Sequence, residues 1–396
     1  MTHSLPRRLF AGGAAGLLAM MAMAACSNDA SDANTVKVGW EVPLTGAYQP
    51  LGEDMRDAFK LYLEAHDNKL GGREVELSTA DEADGPETSL PAAERLIKQD
   101  EVDVLAGIVN GASYAAVAPV AQENKIPLLG AGGRPDLNPD ELDGLWHTSW
   151  ISSETGAALG PWMAENVEGS VYPIGPDYQG GYDQMGGFTS TYQEAGGELA
   201  NGKDESTWTP WPDETNFTPY FTEIANSDAK AVYAFYAGAQ AIDFVTQYAK
   251  SEIKDLPLYG AFLTEGSILE TMGEDAKGIF SVMNYSPDLD NQANREFVAE
   301  WSSTYDRQAS LYAAVSWDTA YVLDQAIGNI PEGEDVTPEA INEAVGDLGQ
   351  IDSPRGVWEF SEKTHAPIQR WYLREVQQDG NKLSNVVIED LATIGG

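Results

Sequence analysis

Segments typical of β-strands alternate with segments typical of α-helices along most of this chain. The stretch TVKVGWEV at 35–42 has the alternating apolar pattern of a short strand, and GEDMRDAFKLYLEAHDNK at 52–69 places its apolar residues at helical spacing. Further along, VDVLAGIV at 102–109 has the pattern of a buried strand, and SYAAVAPVAQEN at 113–124 that of a helix. Short turns separate the elements, so the sequence predicts βαβ units around a parallel sheet with both faces covered.

The same alternation restarts after Leu145 and indicates a second sheet. SVYPIG, AVYAFYA, LYGAFLT and GIFSVMNYS read as its strands, with helical segments between them. Two long helical stretches follow, and then two strands around a turn at Lys363 to Pro367. The predicted fold is α/β, with two doubly wound parallel-sheet lobes joined by several chain crossings. Because ligands of open parallel sheets bind at the carboxyl ends of the strands, we expect a cleft where those ends face each other.

The N-terminal residues have the layout of an export signal followed by a flexible tether. Arg7 and Arg8 precede an apolar run from Leu9 to Ala25, which is short and rich in Ala and Gly. The pair of arginines also fits the twin-arginine export route, and the sequence leaves that route and the general one open. Cys26, the chain's single cysteine, follows two alanines, as in the bacterial lipobox. We therefore expect a signal peptide over residues 1–25, lipidation of Cys26 and a tether over 26–34, which would anchor the protein to the outer face of the cytoplasmic membrane.

The charge of the chain is strongly acidic. It carries 63 acidic and 23 basic residues, for a formal net charge of −40. Such a surface repels the phosphates of nucleic acids and anionic lipid headgroups, so neither is an expected partner. Adaptation to high salt and attraction of cationic ligands would both explain the excess. We favour salt adaptation, because the acids are spread along the whole chain.

The sequence lacks the motifs that would support enzymatic chemistry or a cofactor. The four histidines, His3, His66, His147 and His365, show no metal-ligand spacing. The segment GASYA at 111–115 lacks the closing glycine of a nucleophile elbow, and no phosphate-binding loop or dinucleotide fingerprint is present. We therefore expect neither an enzyme nor a bound cofactor or metal.

The ordered set of segments resembles type I solute-binding proteins of ABC importers, in the branched-chain amino acid, amide and urea group. The segments that carry this resemblance are VGWEVPLTGAYQPLGEDMRDAFKLYLE, AAERLIKQDEVDVLAGIVNGASYAAVAPVAQENKIPLLGAGGRPDL, GPDYQGGYDQMGGFTSTYQEAGGE, NFTPYFTEI, AVYAFYAGAQAIDFVTQYA, YGAFLTEG and SPRGVWEFSEKTHAPIQRWYLREV. The resemblance runs from about Thr35 to about Val376. It implies a lipid-anchored receptor that captures a small solute between two lobes and presents it to a membrane permease. We expect this receptor to be a monomer.

The resemblance also implies a hinge of three crossings. We place the crossings near Trp146 to Ile151, Ile279 to Tyr285 and Gly349 to Pro354. Lobe 1 is then expected to comprise residues 35–148 and 283–351, and lobe 2 residues 149–282 and 352–396. Closure of such a hinge buries a ligand without any catalysis.

Most candidate ligand contacts are carried over from the loops that hold the solute in the family, and Trp150 and Tyr285 are added because they lie near the crossings and could face the cleft or pack there. They are Tyr48, Asn110, Ala112, Ser113, Gly132, Gly133, Arg134, Trp150, Tyr178, Tyr236, Glu265 and Tyr285. Ser113 at a helix N-terminus and Arg134 are candidates for binding a carboxylate, and Glu265 for pairing with an ammonium group. Ser113 could also serve as a helix N-cap, and Arg134 and Glu265 as surface charges.

These candidate contacts predict an aromatic pocket with one acidic and one basic side chain. An amino acid with an apolar or aromatic side chain would fit, and amides, urea-like solutes and aromatic carboxylates stay open. The alternatives are a ligand-sensing protein that signals to a partner, which needs the same cleft, and a secreted hydrolase, for which no catalytic residues are visible.

Overall fold

The computed structural model describes residues 34–202 and 205–395. The predicted signal peptide, Cys26 and nearly all of the tether lie outside these residues. The strands are β1 (Thr35–Val42), β2 (Lys69–Leu70), β3 (Arg73–Asp81), β4 (Val104–Gly107), β5 (Leu128–Gly130), β6 (Gly133–Arg134), β7 (Leu145–His147), β8 (Trp150–Ile151), β9 (Val171–Pro176), β10 (Thr207–Thr209), β11 (Ala231–Phe235), β12 (Leu258–Ala261), β13 (Phe280–Met283), β14 (Glu359–Phe360), β15 (Pro367–Asp379) and β16 (Lys382–Ile394). The helices are α1 (Gln49–Ala65), α2 (Pro86–Lys98), α3 (Gly111–Glu123), α4 (Ser152–Asn166), α5 (Gln179–Glu194), α6 (Thr218–Ala225), α7 (Gly238–Tyr248), α8 (Ser267–Met272), α9 (Gln292–Thr304), α10 (Leu311–Asn329) and α11 (Pro338–Gly346).

The first sheet has the strand order β2-β3-β1-β4-β5-β7 and is parallel except for the pair β2–β3. Val36, Val38 and Trp40 of β1 pack in one core with α1 and α10, whereas Leu105 of β4 belongs to a second core with α2 and α3. Helices therefore cover both faces of this sheet. Apolar residues on both faces explain why β1 and β4 are almost wholly buried.

The second sheet has the strand order β10-β9-β11-β12-β13-β15-β14, and β16 pairs with β15. The strands from β10 to β13 are parallel, whereas β14, β15 and β16 pair antiparallel. The α/β fold class is confirmed, and the C-terminal strands make this second sheet mixed where the sequence predicted a parallel one. The strands on either side of the turn before Pro367 are β14 and β15. The 13-residue strand β16 was not predicted.

The chain passes between the two sheets three times. It leaves the first sheet after β7 and builds β9 to β13 of the second. It then returns to the first half through α10, which packs along α1, and the side chain of Asp324 accepts hydrogen bonds from Tyr62 (3.0 Å) and from the backbone of Gly71 (2.6 Å). A third passage leads to β14.

A buried polar network joins the segments where these passages occur. Arg355 forms an ion pair with Asp318 of α10, with 2.8 Å between the charged groups and side chains 1% and 0% exposed. The same guanidinium donates to the carbonyl of Thr148 (2.6 Å) and to Gln369 of β15. Gln369 in turn accepts from Asn284 at 2.7 Å. Residues of all three passages are therefore tied together at one point between the sheets.

Candidate ligand-binding site

A central cavity lies between the carboxyl ends of the strands of both sheets. About 20 Å³ of it is open to a water-sized sphere, so its own side chains nearly fill it. Its lining residues are Tyr48, Val109, Gly111, Gly133, Trp150, Ser152, Tyr178, Gly180, Gln184, Phe235, Ala237, Phe262 and Tyr312. Most of these residues lie at or next to the N-termini of six helices, because strands of a parallel sheet lead into helix starts at this edge. Three of the helices (α1, α3 and α10) pack in the first half of the molecule and three (α4, α5 and α7) in the second.

Aromatic rings form most of the wall of this cavity. The ring centroids of Trp150 and Phe262 are 5.2 Å apart, those of Phe235 and Phe262 are 5.6 Å apart, and those of Trp150 and Tyr312 are 6.0 Å apart. No residue among the thirteen described lining residues carries a charge. These rings offer faces on which a flat, apolar molecule could stack once the cavity opens.

One end of the cavity is rich in hydrogen-bond donors. Helix α3 begins at Gly111 and α4 begins at Ser152, so the partial positive ends of both helices are at this end. Gly133 allows Ser152 and Trp150 to approach this end closely, since a Cβ atom at this position would lie 2.7 Å from Ser152 Oγ and 3.1 Å from Trp150 Nε1. The serine hydroxyl and the indole N–H are both donors. Helix N-termini with neutral donors form a binding site for an anion.

Contacts between residues of the two halves hold the halves together over the cavity. The hydroxyl oxygens of Tyr48 and Tyr178 are 2.6 Å apart and share a hydrogen bond, and the ring of Trp211 stacks on Tyr178 at 4.7 Å. Burial raises the pKa of both tyrosines, so both stay neutral at physiological pH. At the start of α7, Gly238 has φ +58°, and a Cβ atom there would lie 2.1 Å from the carbonyl oxygen of Ala47. Close approach of the two halves therefore depends on glycine at this position.

Six of the residues predicted from sequence are at or beside the cavity. Tyr48, Gly133, Trp150 and Tyr178 line it. Asn110 and Ala112 line a neighbouring outer hollow that also includes Tyr178 and Trp211. The side chain of Asn110 accepts a hydrogen bond from the backbone N–H of Ala112 at 2.9 Å. Asn110 thus caps α3, which is a structural role next to the site.

The two predicted charged contacts are engaged elsewhere. Glu265 forms a buried ion pair with Arg374 and also accepts from the backbone N–H of Leu311 at 3.3 Å. Arg134 donates to the carbonyls of Pro135 (3.0 Å) and Thr364. Burial lowers the pKa of Arg134. Neither side chain lines the cavity, so neither is positioned to bind an ammonium or a carboxylate there.

The other four predicted residues pack behind the cavity wall. Ser113 is buried beside Glu82. The carbonyl of Gly132 accepts hydrogen bonds from His147 and Ser149. Tyr236 contacts Thr209 with 3.1 Å between the hydroxyl oxygens. Tyr285 is fully buried, and its carbonyl accepts from Arg374 at 2.7 Å.

Sequence reasoning missed several lining residues, above all Phe235, Phe262, Tyr312, Ser152 and Gln184. Phe235 could have been found from strand alternation. Ala231, Tyr233 and Phe235 pack on the side of α4 and α5, whereas Val232, Ala234 and Tyr236 face α7. Phe262 follows β12 with φ 64°, a backbone conformation that is rare for a bulky residue and that no sequence pattern indicates.

The described residues contain no group of three or more His, Cys, Asp or Glu side chains placed to hold a metal ion. Within the same part of the chain, no helix is both long and apolar enough to cross a membrane.

Known proteins with similar sequences and structures bind small solutes. A Leu/Ile/Val-binding protein homolog 6 from Brucella melitensis is 27% identical over 368 residues, which cover 91% of this chain and 92% of the relative. An ABC transporter solute-binding protein from Rhodopseudomonas palustris, solved with benzoate, is 28% identical with a TM-score of 0.81, covering 91% of this chain and 97% of its own. A second such protein from R. palustris, solved with 4-hydroxybenzoate, is 25% identical with a TM-score of 0.81 and the same coverage of both chains.

A family model described as "Periplasmic binding protein" matches residues 35–381. This match spans both sheets and the cavity between them. The sequence resemblance is therefore confirmed, and the chain belongs to the periplasmic binding protein family.

Proposed function

We propose that this protein captures a small aromatic carboxylate in the central cavity and presents it to the permease of an ABC importer. The observation that carries this proposal is an uncharged cavity with six aromatic rings in its wall and helix N-termini at its edge. A benzoate-like ring would stack between the aromatic side chains, and its carboxylate would accept hydrogen bonds from Ser152, Trp150 and the start of α3. The cavity is nearly filled by its own side chains, with about 20 Å³ open to a water-sized sphere, so a ring would enter only as the two halves separate.

An α-amino acid is a less suitable ligand for this cavity. Its ammonium group needs an anionic or carbonyl partner once it is removed from water. The carboxylate predicted for that role, Glu265, is paired with Arg374. No acidic residue is among the described lining residues. The benzoate and 4-hydroxybenzoate bound by the two R. palustris proteins favour the same choice of ligand class.

The mode of action that we propose follows from the three chain passages. Residues 35–148 with 283–351 and residues 149–282 with 352–396 would move as two lobes about the passages. The hydrogen bond between Tyr48 and Tyr178 would form on closure. A lipid on Cys26 would keep the receptor near the permease, outside the cytoplasmic membrane.

Calorimetric titration of the purified protein tests the ligand class. We expect binding of benzoate and hydroxybenzoates, and far weaker binding of leucine and phenylalanine. In thermal unfolding, a ligand at 100 times its Kd should stabilise the protein by about 2.7 kcal/mol. Binding of leucine without binding of any aromatic acid would contradict the proposal.

A further inference from the structure

The polar end of the cavity includes one side chain that neither the sequence nor the comparisons assign to a role. Gln184 lies on α5, lines the cavity and is only 1% exposed. Its Nε2 is 3.2 Å from Thr155 Oγ1, on the first turn of α4. Its Oε1 is buried and has no hydrogen-bond partner among the described residues. One end of this buried amide lacks a partner whichever way the amide is turned, which is unfavourable and points to an occupant of the cavity.

The amide of a glutamine has two orientations that differ by a half-turn and occupy the same space. In the reversed orientation, the hydroxyl of Thr155 donates to Gln184 Oε1. The Nε2 group, with two N–H donors, then takes the place of the unpartnered oxygen at the cavity wall. In this orientation the amide oxygen of Gln184 accepts a hydrogen bond from Thr155. The end of the amide that is left for a ligand then carries N–H donors and no acceptor.

The donors near Gln184 favour the reversed orientation when an anion is bound. Ser152 and Thr155 are one turn apart on α4, so Gln184 lies beside the same helix start that supplies the Ser152 hydroxyl. The indole N–H of Trp150 adds a further donor near Ser152. A carboxylate accepts hydrogen bonds with both oxygens, and bonds to a charged acceptor are stronger than neutral ones.

Resting on the proposed function, we propose that Gln184 is a specificity-determining residue that donates a hydrogen bond to the ligand carboxylate, with its amide held by Thr155. Gln184 belongs to the second half of the molecule, whereas Gly111 and Gly133 belong to the first. A carboxylate at this end would therefore be bound from both halves. The site would select the charged acid over its neutral amide.

Two substitutions test this role by titration with benzoate and benzamide between pH 6 and 9. Wild type should bind benzoate more tightly than benzamide. Gln184→Met keeps the size of the side chain and removes the donor, which should weaken benzoate binding about 10-fold. Gln184→Glu places an acidic group at the same point, which repels the ligand carboxylate once it is ionised, so its benzoate-to-benzamide affinity ratio should fall at least 10-fold as pH rises from 6 to 9, whereas the ratio of wild type should stay constant.

The matched control is Gln325→Glu, which makes the same change of charge on the exposed face of α10. It should leave both affinities unchanged. Melting temperatures of all variants show whether they are folded, and a benzoate-to-benzamide ratio that depends on pH is a readout that a purely structural role would not produce.

Four outcomes overturn the inference, and one of them also overturns the proposed function. Unchanged benzoate binding by Gln184→Met, or a benzoate-to-benzamide ratio of Gln184→Glu that does not fall between pH 6 and 9, removes Gln184 from carboxylate recognition while the aromatic ligand class stands. If Gln184→Met weakens only hydroxybenzoates and not benzoate, Oε1 faces a ring hydroxyl and the reversed amide is wrong. If wild type binds no aromatic carboxylate at all, both proposals fail together.

Discussion

Glu41 is a carboxyl group buried near the end of β1, and its chemistry makes the stability of the protein depend on pH. Its Oε1 accepts a hydrogen bond from Ser89 at 2.5 Å, and its Oε2 has no partner in the described structure. Burial raises its pKa to about 8, although the bond from Ser89 and the charge of Arg95 act in the opposite direction. Its carboxylate neighbours Asp81 and Glu82 raise the pKa further. The folded protein therefore holds a proton that the unfolded chain releases near the usual pKa of about 4.3.

The sign of the effect follows from this difference in bound protons. Between the unfolded and folded pKa values of Glu41, the folded state binds more protons than the unfolded chain. The contribution of Glu41 to the free energy of unfolding is therefore greatest at low pH and is lost as pH rises towards 8. The loss is at most about 1.4 kcal/mol per pH unit. Glu41→Gln resembles the protonated form and should remove this contribution. In urea unfolding, the variant should match wild type at pH 5 and exceed it in stability at pH 8. An equal difference at both pH values would contradict the assignment.

At the scale of elements, the buried network at the three passages decides how the two halves are connected. Arg355 binds Asp318 of α10, the carbonyl of Thr148 and Gln369 of β15. Burial raises the pKa of Asp318, while Arg355 lowers it. Removing one partner of such a pair leaves the other as an uncompensated charge in the interior.

Arg355→Met should therefore lower the free energy of unfolding by about 3–5 kcal/mol. Arg370→Met is the matched control, because Arg370 pairs with Asp390 at 3.8 Å on the surface and both side chains are more than half exposed. The control should change stability by less than about 1 kcal/mol. Chemical unfolding measures both. Equal effects of the two substitutions would show that the network is not important for stability.

The sequence predicts the elements of this fold better than it predicts the site. Strands such as β1, β9 and β11 and helices such as α1 and α10 have strong periodic patterns, and they form where expected. The ion pair between Glu265 and Arg374 could not be predicted from the sequence, because the two residues are 109 positions apart and only the folded sheet brings them together. Phe262 begins the loop after β12 and Tyr312 lies in the first turn of α10, and neither position has a local pattern that reports which way its ring points. Tertiary packing alone determines those positions.

At the scale of the whole molecule, the net charge of −40 means that acidic groups repel one another across the surface. Self-repulsion of this size destabilises the compact state at low ionic strength, and salt screens it. The melting temperature should rise between about 0.1 M and 2 M KCl. Thermal unfolding in sucrose solutions of equal osmolarity separates the screening of charge repulsion from general solute effects. A melting temperature that stays flat or falls in KCl would show that the acidic surface is not an adaptation to salt.

The six helices that begin around the cavity come in equal numbers from the two halves of the molecule. Each start carries the equivalent of about half a positive charge, so an empty closed cavity brings like poles face to face. On the proposed mode of action, that repulsion would favour separated halves while the cavity is empty. An anion bound between them would turn the repulsion into attraction towards both sides, so the ligand itself would supply the force that closes the protein.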